Sequence, residues 1–591
     1  MPPKRKNNEQ IKGPTNLKRK IISTTTRGMK KPQITNVGTS DFERLIKRGI
    51  YVDKSMLISD FCDANNTISI VLRPRRFGKT TCISMLHRFF ECIHEENDDN
   101  RNLRKSAFEP LEIANKRPEL LDTEFGRYPV IHLNLRDVTR DTWEATMHKV
   151  RDVIGEIFRK HAYVLSSLSD VESLEYTRIM KKSPAYREWD SALQKLSMYL
   201  TRHYKCIGCI VLIDEYETPM IDNFDTPITS EHHKKYYCHA IDFFKRLYSS
   251  LLNNNSNIHK AFVVGVLPVE MHMLLPGVDS LSYDGYVDRF GFTEPEVVQL
   301  HSEHVNEDMP SIDNLRDLCG GYWVGKCELY NPRLIIKYIT NNRSDYGGNG
   351  DYAYTIRHLI FNAKHDTKDR MIKMLNYIRV PRTCRDEIWF DKLVACDDST
   401  LCTLLYHAGY LTIRDGMFEI PNAEVYMQWV FNLVPELCDL SKYETLVDRL
   451  ISCEIDAFNA EFDAISLKYL SHYMGGWCSE RRTDIFYHAF YFGVNAELHR
   501  RGYSIVSSSK REPGLVKMYA VPNSATTAAV LIIEIKLPLN KESLEMAANR
   551  GIDQIKWDQY ISDKIQQIFI FGIAFQGNQS CVSVRICEPI K

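Results

Sequence analysis

Short apolar runs alternate with segments of helical period along most of the chain. Thr67-Ile-Ser-Ile-Val-Leu72, Tyr128-Pro-Val-Ile-His-Leu-Asn-Leu135, Cys209-Ile-Val-Leu-Ile213 and Ala261-Phe-Val-Val-Gly-Val-Leu267 read as strands. The third is apolar throughout, the pattern of a strand buried on both faces. Between them the period lengthens to that of a helix. Ile83, Leu86, Phe90 and Ile93 fall on one face after the first strand, and Val150, Ile154, Ile157 and Phe158 mark a mostly helical stretch over 142–204. A further helix is predicted over 234–252. Strands separated by helices predict an α/β fold with a parallel sheet and right-handed crossovers. Ahead of the sheet, Phe42, Leu45 and Ile46 give a short helix one apolar face, and Tyr51-Val-Asp-Lys54 follows as an extended piece.

Past the sheet the pattern changes twice. Residues 294–345 read as amphipathic helix with a turn at Gly320-Gly-Tyr322, and the polar, glycine-rich Asp345–Asp351 marks a boundary. From 352 to 433 the chain is helical and ends in a helix and a hairpin: Leu404-Leu405, Gly409-Tyr-Leu-Thr-Ile413, a turn at Asp415-Gly416, then Met417-Phe-Glu-Ile420. This unit predicts a winged-helix-like lid. Its hairpin lacks a basic stripe, which favours packing on the sheet domain over contact with DNA. Residues 434–480 continue as helix. Over 481–591 a helix at 484–500 precedes strands at Tyr503–Val506, Val516–Val521 and Ala528–Lys536. A helix with Gln554, Ile555 and Tyr560 follows, then the strand Ile568–Ala574.

Composition adds limits. Hydrophobic residues make up 44% and charged residues 26% of 591, an ordinary globular balance. No apolar run approaches the ~20 residues that cross a bilayer, and Met1–Arg5 is followed by further charge, which predicts no secretory leader. The sixteen cysteines are scattered, as expected of reduced thiols in a cytoplasmic or nuclear setting. Cys206-Ile-Gly-Cys209 has metal-ligand spacing without a second pair and is read as packing. Formal charge is zero, yet residues 1–37 hold ten Lys or Arg against Glu9 alone. That +9 tail, poor in apolar residues, predicts disorder, and Lys4-Arg-Lys6 and Lys18-Arg-Lys20 suit nuclear import or loose nucleic-acid contact.

The candidate chemistry sits where the first strand meets its helix. Arg73-Pro-Arg-Arg-Phe-Gly-Lys-Thr80 has the strand–loop–helix context of a phosphate-binding loop, with Arg73 where the common pattern has glycine. Backbone N–H groups around Gly78 and the helix dipole would face a β-phosphate. Lys79 would set a charge against the β- and γ-oxygens, and the Thr80 hydroxyl would coordinate Mg²⁺. Arg73, Arg76 and Thr81 complete the loop's candidate contacts. Alone, Gly78-Lys79-Thr80 is a weak signal, and the bland reading is a basic surface loop before an ordinary helix. The buried strand, however, ends in Asp214-Glu215, where the metal of a bound nucleotide sits in a doubly wound sheet. Asp214 would support Mg²⁺, and Glu215 could polarise water.

Tyr51–Lys54, Arg73–Thr80 and Leu212-Ile-Asp-Glu-Tyr-Glu-Thr-Pro219 resemble the AAA-ATPase-like family that is fused to a PD-(D/E)XK nuclease-like domain. The likeness continues through Arg289-Phe-Gly-Phe-Thr293, Tyr330-Asn-Pro332, Gly409–Thr412 and Ile420–Glu424. It implies a basic tail (1–37), a P-loop ATPase-like domain (38–345), a helical and winged-helix-like lid (346–480) and a restriction-endonuclease-like α/β domain (481–591). It implies ATP and Mg²⁺ as cofactors and DNA or RNA as a partner of the tail domain, with oligomer formation left open and no membrane. Tyr51–Lys54 would lie near the base. Arg289 and Arg333 are candidates to reach the γ-phosphate. Two departures stand out. The strand end that often carries a polar sensor, threonine in this family, has Val263 and Val264, which cannot hydrogen-bond a phosphate. In the tail domain Glu534-x-Lys536 fits the catalytic pair, with Glu534 as metal ligand, but Tyr519 stands where a second carboxylate belongs. Glu512, Asp484 or Asp553 could substitute. The reading is an ATP-binding, slowly hydrolysing protein coupled to a nuclease-fold domain. The alternative is a nucleotide-dependent switch without catalysis.

Overall fold

The computed structural model describes residues 39–48, 51–94, 97–206, 208–221, 231–275, 286–304, 310–339, 352–375, 377–395, 397–429, 441–462, 494, 497–498, 500–508, 516–522, 529–536, 542–553, 567–576 and 579–587. The basic tail, the glycine-rich stretch at 345–351, Glu512, Asp484 and most of the helix expected at 484–500 lie outside them.

Four strands, β1 (Ile68–Leu72), β2 (Val130–Asn134), β3 (Cys209–Asp214) and β4 (Ile258–Gly265), form a parallel sheet in the spatial order β1-β4-β3-β2. Successive side chains point to opposite faces of a strand, and here both faces are covered. Val71, Leu212, Phe262 and Val264 pack with Ile83, Leu86 and Phe89 of α1 (Lys79–Phe90). Ile70, Leu133, Ile213 and Val263 face the other layer, with α2 (Trp143–Lys160), α3 (Ala192–Tyr204) and α4 (Glu231–Leu252). The apolar runs are continuous because neither face of the sheet meets water.

The order places β4 between the strand that feeds the phosphate loop and the strand that ends in Asp214. α1 is shorter than its apolar period predicts. It stops at Phe90, Glu91 bridges to Tyr128, and Cys92 N–H donates to Tyr128 O at 2.8 Å, leaving Ile93 exposed. Arg289 is an ion-pair partner of Asp60.

The Tyr51–Lys54 segment is a buried clamp. Lys54 Nζ donates to both carboxylate oxygens of Glu296, at 2.9 and 2.8 Å, and to Asp288 O at 2.8 Å. Asp53 accepts from the Ser55 and Glu112 backbones, and Tyr51 Oη donates to Met85 Sδ. These side chains are spent on structure.

The turn at Gly320 opens a short hairpin, β5 (Tyr322–Val324) and β6 (Cys327–Leu329), which the helical period hid. The helix-and-hairpin unit follows as expected, with α5 (Asp398–His407), β8 (Thr412–Arg414) and β9 (Met417–Glu419). A two-residue strand β7 (Val380–Pro381) pairs β9 and was not predicted. The unit docks on the loop of the sheet domain: Trp323 N–H donates to Thr412 Oγ1, and Leu72, Arg73, Pro74 and Phe77 share a small cavity with Tyr406 and His407.

A second sheet holds β10 (Tyr503–Ser508), β11 (Val516–Pro522), β12 (Ala529–Lys536), β13 (Gln567–Gln576) and β14 (Gln579–Cys587) in sequence order. Only β12 and β13 pair in parallel, and α6 (Leu544–Asp553) lies between them in the chain and packs on them. β14 extends the expected series by one strand. Among the described residues no helix is long and apolar enough to cross a membrane.

Removing one partner of a buried ion pair strands the other charge, at a cost of about 3–5 kcal/mol. Glu296→Gln is therefore expected to lower the urea midpoint of the sheet domain, and Lys54→Met/Glu296→Leu to recover most of that loss. Equal loss in the single and double variants would show that Lys54–Glu296 does not hold the N-terminal segment down.

Candidate nucleotide site

The loop begins as a continuation of the sheet, with Arg73 N–H donating to Gly265 O at 3.1 Å. It then turns through Arg76 (φ 72°) and Gly78 (φ 86°), both left-handed, before α1 starts at Lys79. A side chain at Gly78 would find open space, so it is the backbone conformation that calls for glycine. Phe77 anchors the loop from below, edge-on to Tyr322 at 4.9 Å, with its carbonyl accepting from Gly291 N–H.

Lys79 is buried at the head of α1, and its Nζ donates to Arg73 O at 2.9 Å and Pro74 O at 3.1 Å. Burial lowers its pKa, opposed by the carboxylates of Glu217, Glu215 and Asp214. At the next residue, the Thr80 hydroxyl donates to Asp214 Oδ2 at 2.8 Å. Asp214 closes β3 with no exposed surface. Burial raises its pKa, and the Thr80 hydrogen bond works against that rise. Its Oδ1 is buried and accepts no hydrogen bond among the described residues.

Glu215 sits beside it in left-handed backbone (φ 58°), an energetically costly conformation for a residue with a side chain. Its Oε1 accepts from Arg136 Nε at 3.1 Å, and its Oε2 from Thr218 Oγ1 at 3.3 Å. The other arm of the Arg136 guanidinium donates to Thr80 Oγ1 at 2.8 Å. A half-exposed cation thus links Thr80, one of the two residues expected to hold Mg²⁺, to Glu215, the neighbour of the other. This stand-in charge and the orphaned Asp214 Oδ1 show a donor set that fits a hard cation.

Not every predicted residue turns toward this point. Arg73 is buried, gives a hydrogen bond to Leu72 O at 2.9 Å, and lines the cavity with Tyr406 and His407. The His407 ring is held down to about 3 by burial, with Arg73 adding to the effect. Arg75 lies over the Tyr352 ring at 4.9 Å. Arg76 is exposed at the loop's crest, and Thr81 is half-buried in the first turn of α1. Val263 and Val264 are wholly buried on opposite faces of the sheet.

The residue sequence reasoning passed over is Glu217. It is fully buried, accepts from the backbone N–H of Val266 at 2.6 Å and of Leu267 at 3.3 Å, and keeps Oε2 without a hydrogen bond among the described residues. Burial pushes its pKa up to about 7. Its carboxylate fills the space a Cβ on Gly265 would need. The signals were present as a second acid in Asp214-Glu-Tyr-Glu217 and a glycine in a valine-rich strand. Arg136 carried no signal beyond standing two residues past a strand.

Residues 36–275 match the model of a predicted AAA-ATPase family. The match spans the loop, Arg136, Asp214, Glu215 and Glu217, and supports ATP binding by this part of the chain. Among solved structures, the Walker-type ATPase PABY2304 of Pyrococcus abyssi aligns at a TM-score of 0.32 and 13% identity, over 64% of this chain and 94% of that one. No curated protein matches.

The distant Glu534 and Lys536 lie on β12. Glu534 is buried and faces Lys517 on β11 and Gly572 on β13. Tyr519 packs in an apolar cluster with Ile532, Ile552 and Ile570. Asp553 is engaged by Arg585 at 2.6 Å. Among the described residues no cluster of three or more His, Cys, Asp or Glu side chains that could hold a metal is found. The Lys536 side chain lies outside what the structure describes.

Because the folded pKa of Glu217 exceeds the ordinary value of 4.5, the protonated carboxyl stabilises the fold, fully below about pH 4.5 and progressively less as pH rises through 7. Thermal melts from pH 5 to pH 8 should show wild type losing stability relative to Glu217→Gln over that window. Parallel curves for the two proteins would count against a raised pKa at Glu217.

Proposed function

We propose that the sheet domain, residues 38–345, binds ATP and hydrolyses it slowly. The observation that carries this reading is the Thr80–Asp214 hydrogen bond, which joins the loop to the acidic strand end across 134 residues of sequence. Lys79 would leave the Arg73 and Pro74 carbonyls for the β- and γ-phosphates, two acceptors of the same kind as those it now holds. Gly78 and the backbone around Arg76 would cradle the phosphate chain, with Thr81 at its edge. Thr80 and Asp214 would hold Mg²⁺, which neutralises phosphate charge when bound. Glu215 would take a proton from water once Arg136 releases it, and Arg136 acts as a positioning residue through that contact.

Slow turnover follows from the end of β4. No polar side chain leaves that strand toward the phosphates, and the nearby acid, Glu217, is tied to the Val266 and Leu267 backbone. The same facts give weight to the reading without catalysis, in which the Arg136–Glu215 bond simply persists and ATP acts as a switch.

The C-terminal unit, 481–591, has a strand order and a Glu534-x-Lys536 pair that support a PD-(D/E)XK nuclease-like fold. In this proposal it binds nucleic acid, with the basic tail contributing charge and the nucleus or cytoplasm as its setting. The lid, 346–480, would relay nucleotide state to it, since its helix and hairpin rest on Pro74 and Phe77.

Calorimetric titration with ATP and Mg²⁺ should show Lys79→Ala weakening binding by roughly a hundredfold, as loss of a charge-assisted contact predicts. Binding unchanged in that variant would remove the phosphate-loop assignment. Phosphate release separates enzyme from switch: Glu215→Gln should keep ATP affinity and lose about 10²-fold or more in rate. Equal background rates in wild type and variant would leave only the switch.

A further inference from the structure

Arg136 is fixed at its root by the sheet and reaches from there to the phosphate loop. Leu135 N–H donates to Asp214 O at 3.0 Å, which carries the β2–β3 ladder one step past β2, and Arg136 N–H donates to Asn134 Oδ1 at 3.0 Å. From that anchor the guanidinium gives one hydrogen bond to Glu215 Oε1 at 3.1 Å and one to Thr80 Oγ1 at 2.8 Å. Thr80 in turn donates to Asp214 Oδ2, so a single cation completes the run Glu215–Arg136–Thr80–Asp214. The Nη1 of Arg136 donates to no described residue.

Stability alone does not explain a cation there. The Arg136 side chain is 48% exposed, and an ion pair open to water adds little to a fold. The threonine contact is more telling. Its hydroxyl has already given its hydrogen to Asp214, so what remains is oxygen lone pairs, and these face a positive charge. Mg²⁺ on Thr80 would draw on the same oxygen. A guanidinium and a divalent cation sharing one oxygen repel strongly in a partly buried site, so the two exclude each other. Until metal arrives, the position is filled by a group that itself suits phosphate, since guanidinium N–H groups match phosphate oxygens in a planar fork. Lys79 and Arg136 would together offer a polyphosphate two positive charges before any metal is bound. We propose, on the phosphate-loop reading given above, that Arg136 stands in for the divalent cation: the site takes a nucleoside triphosphate without metal, and Mg²⁺ enters by displacing the guanidinium.

Isothermal titration of the full-length protein with ATP, in excess EDTA and in excess Mg²⁺, tests this. Wild type should bind with nearly the same affinity in both buffers. Arg136→Gln keeps an amide donor without the charge, and it should bind about tenfold more weakly than wild type in EDTA. Mg²⁺ should bring the variant back to wild-type affinity. That recovery shows the variant to be folded, and a merely structural role for Arg136 would not depend on the metal. Three results would overturn the surrogate and leave the phosphate loop standing. They are equal affinity of the two proteins in EDTA, an equal loss by the variant in both buffers, or a wild type as dependent on Mg²⁺ as the variant. ATP bound by neither protein in either buffer would overturn both readings.

Discussion

The carboxylate of Asp214 is the constraint around which the sheet domain is arranged. It has no exposed surface, and a buried carboxylate is tolerated only where donors or cations meet it. One such donor is Thr80, and the strand order decides that it can arrive. With β4 interposed, the carboxyl ends of β1 and β3 stand about 9–10 Å apart, two interstrand spacings. A side chain on β1 cannot close that gap, but the first turn of α1, thrown across the top of β4 by the left-handed Gly78, can. The loop's shape, the helix start and the acidic strand end are therefore consequences of one another.

That arrangement ties the loop to chain far away in sequence. Phe77 is held by Tyr322 and Gly291, Pro74 lies against Gly409, and Arg75 covers Tyr352, whose hydroxyl approaches Glu217 Oε1 at 3.5 Å. Any displacement of the loop on binding phosphate must be absorbed by these contacts, because packed interiors shift between discrete arrangements and do not stretch. The helix-and-hairpin unit is thus mechanically connected to the site by side chains that the hydrophobic period alone does not single out.

The four parallel strands were legible because full burial on two faces writes continuous apolar runs, as in Cys209–Ile213. The loop and its acidic partner were legible because each is local: a turn before a helix and an acid after a strand. Where the reading failed, a long-range partner decided the outcome. The helical phase of Ile93 is real, but Glu91 and Cys92 pair with Tyr128, so the chain leaves the helix before that phase counts. Within the Tyr51–Lys54 segment, the lysine is paired with Glu296, more than 240 residues on. Arg289 went to Asp60 in the same way. β14 is an edge strand without clean alternation: Val582 and Cys587 are buried on opposite faces while Ile586, on the face of Val582, is exposed, a weaker signal than a continuous run.

Glu217 shows why the strand ends in a glycine at 265. The space beside Gly265 holds the Glu217 carboxylate, and Tyr216 lies against the same glycine. A residue with any Cβ there would displace both. The polar group at this strand end is consequently supplied from β3's exit and not from β4, and it arrives already bonded to two backbone N–H groups. Such a group can respond to charge by changing its proton, since its pKa stands at about 7, but it cannot swing toward a ligand without leaving Val266 and Leu267 N–H unsatisfied. The two backbone hydrogen bonds therefore fix the Glu217 carboxyl in place beside Gly265.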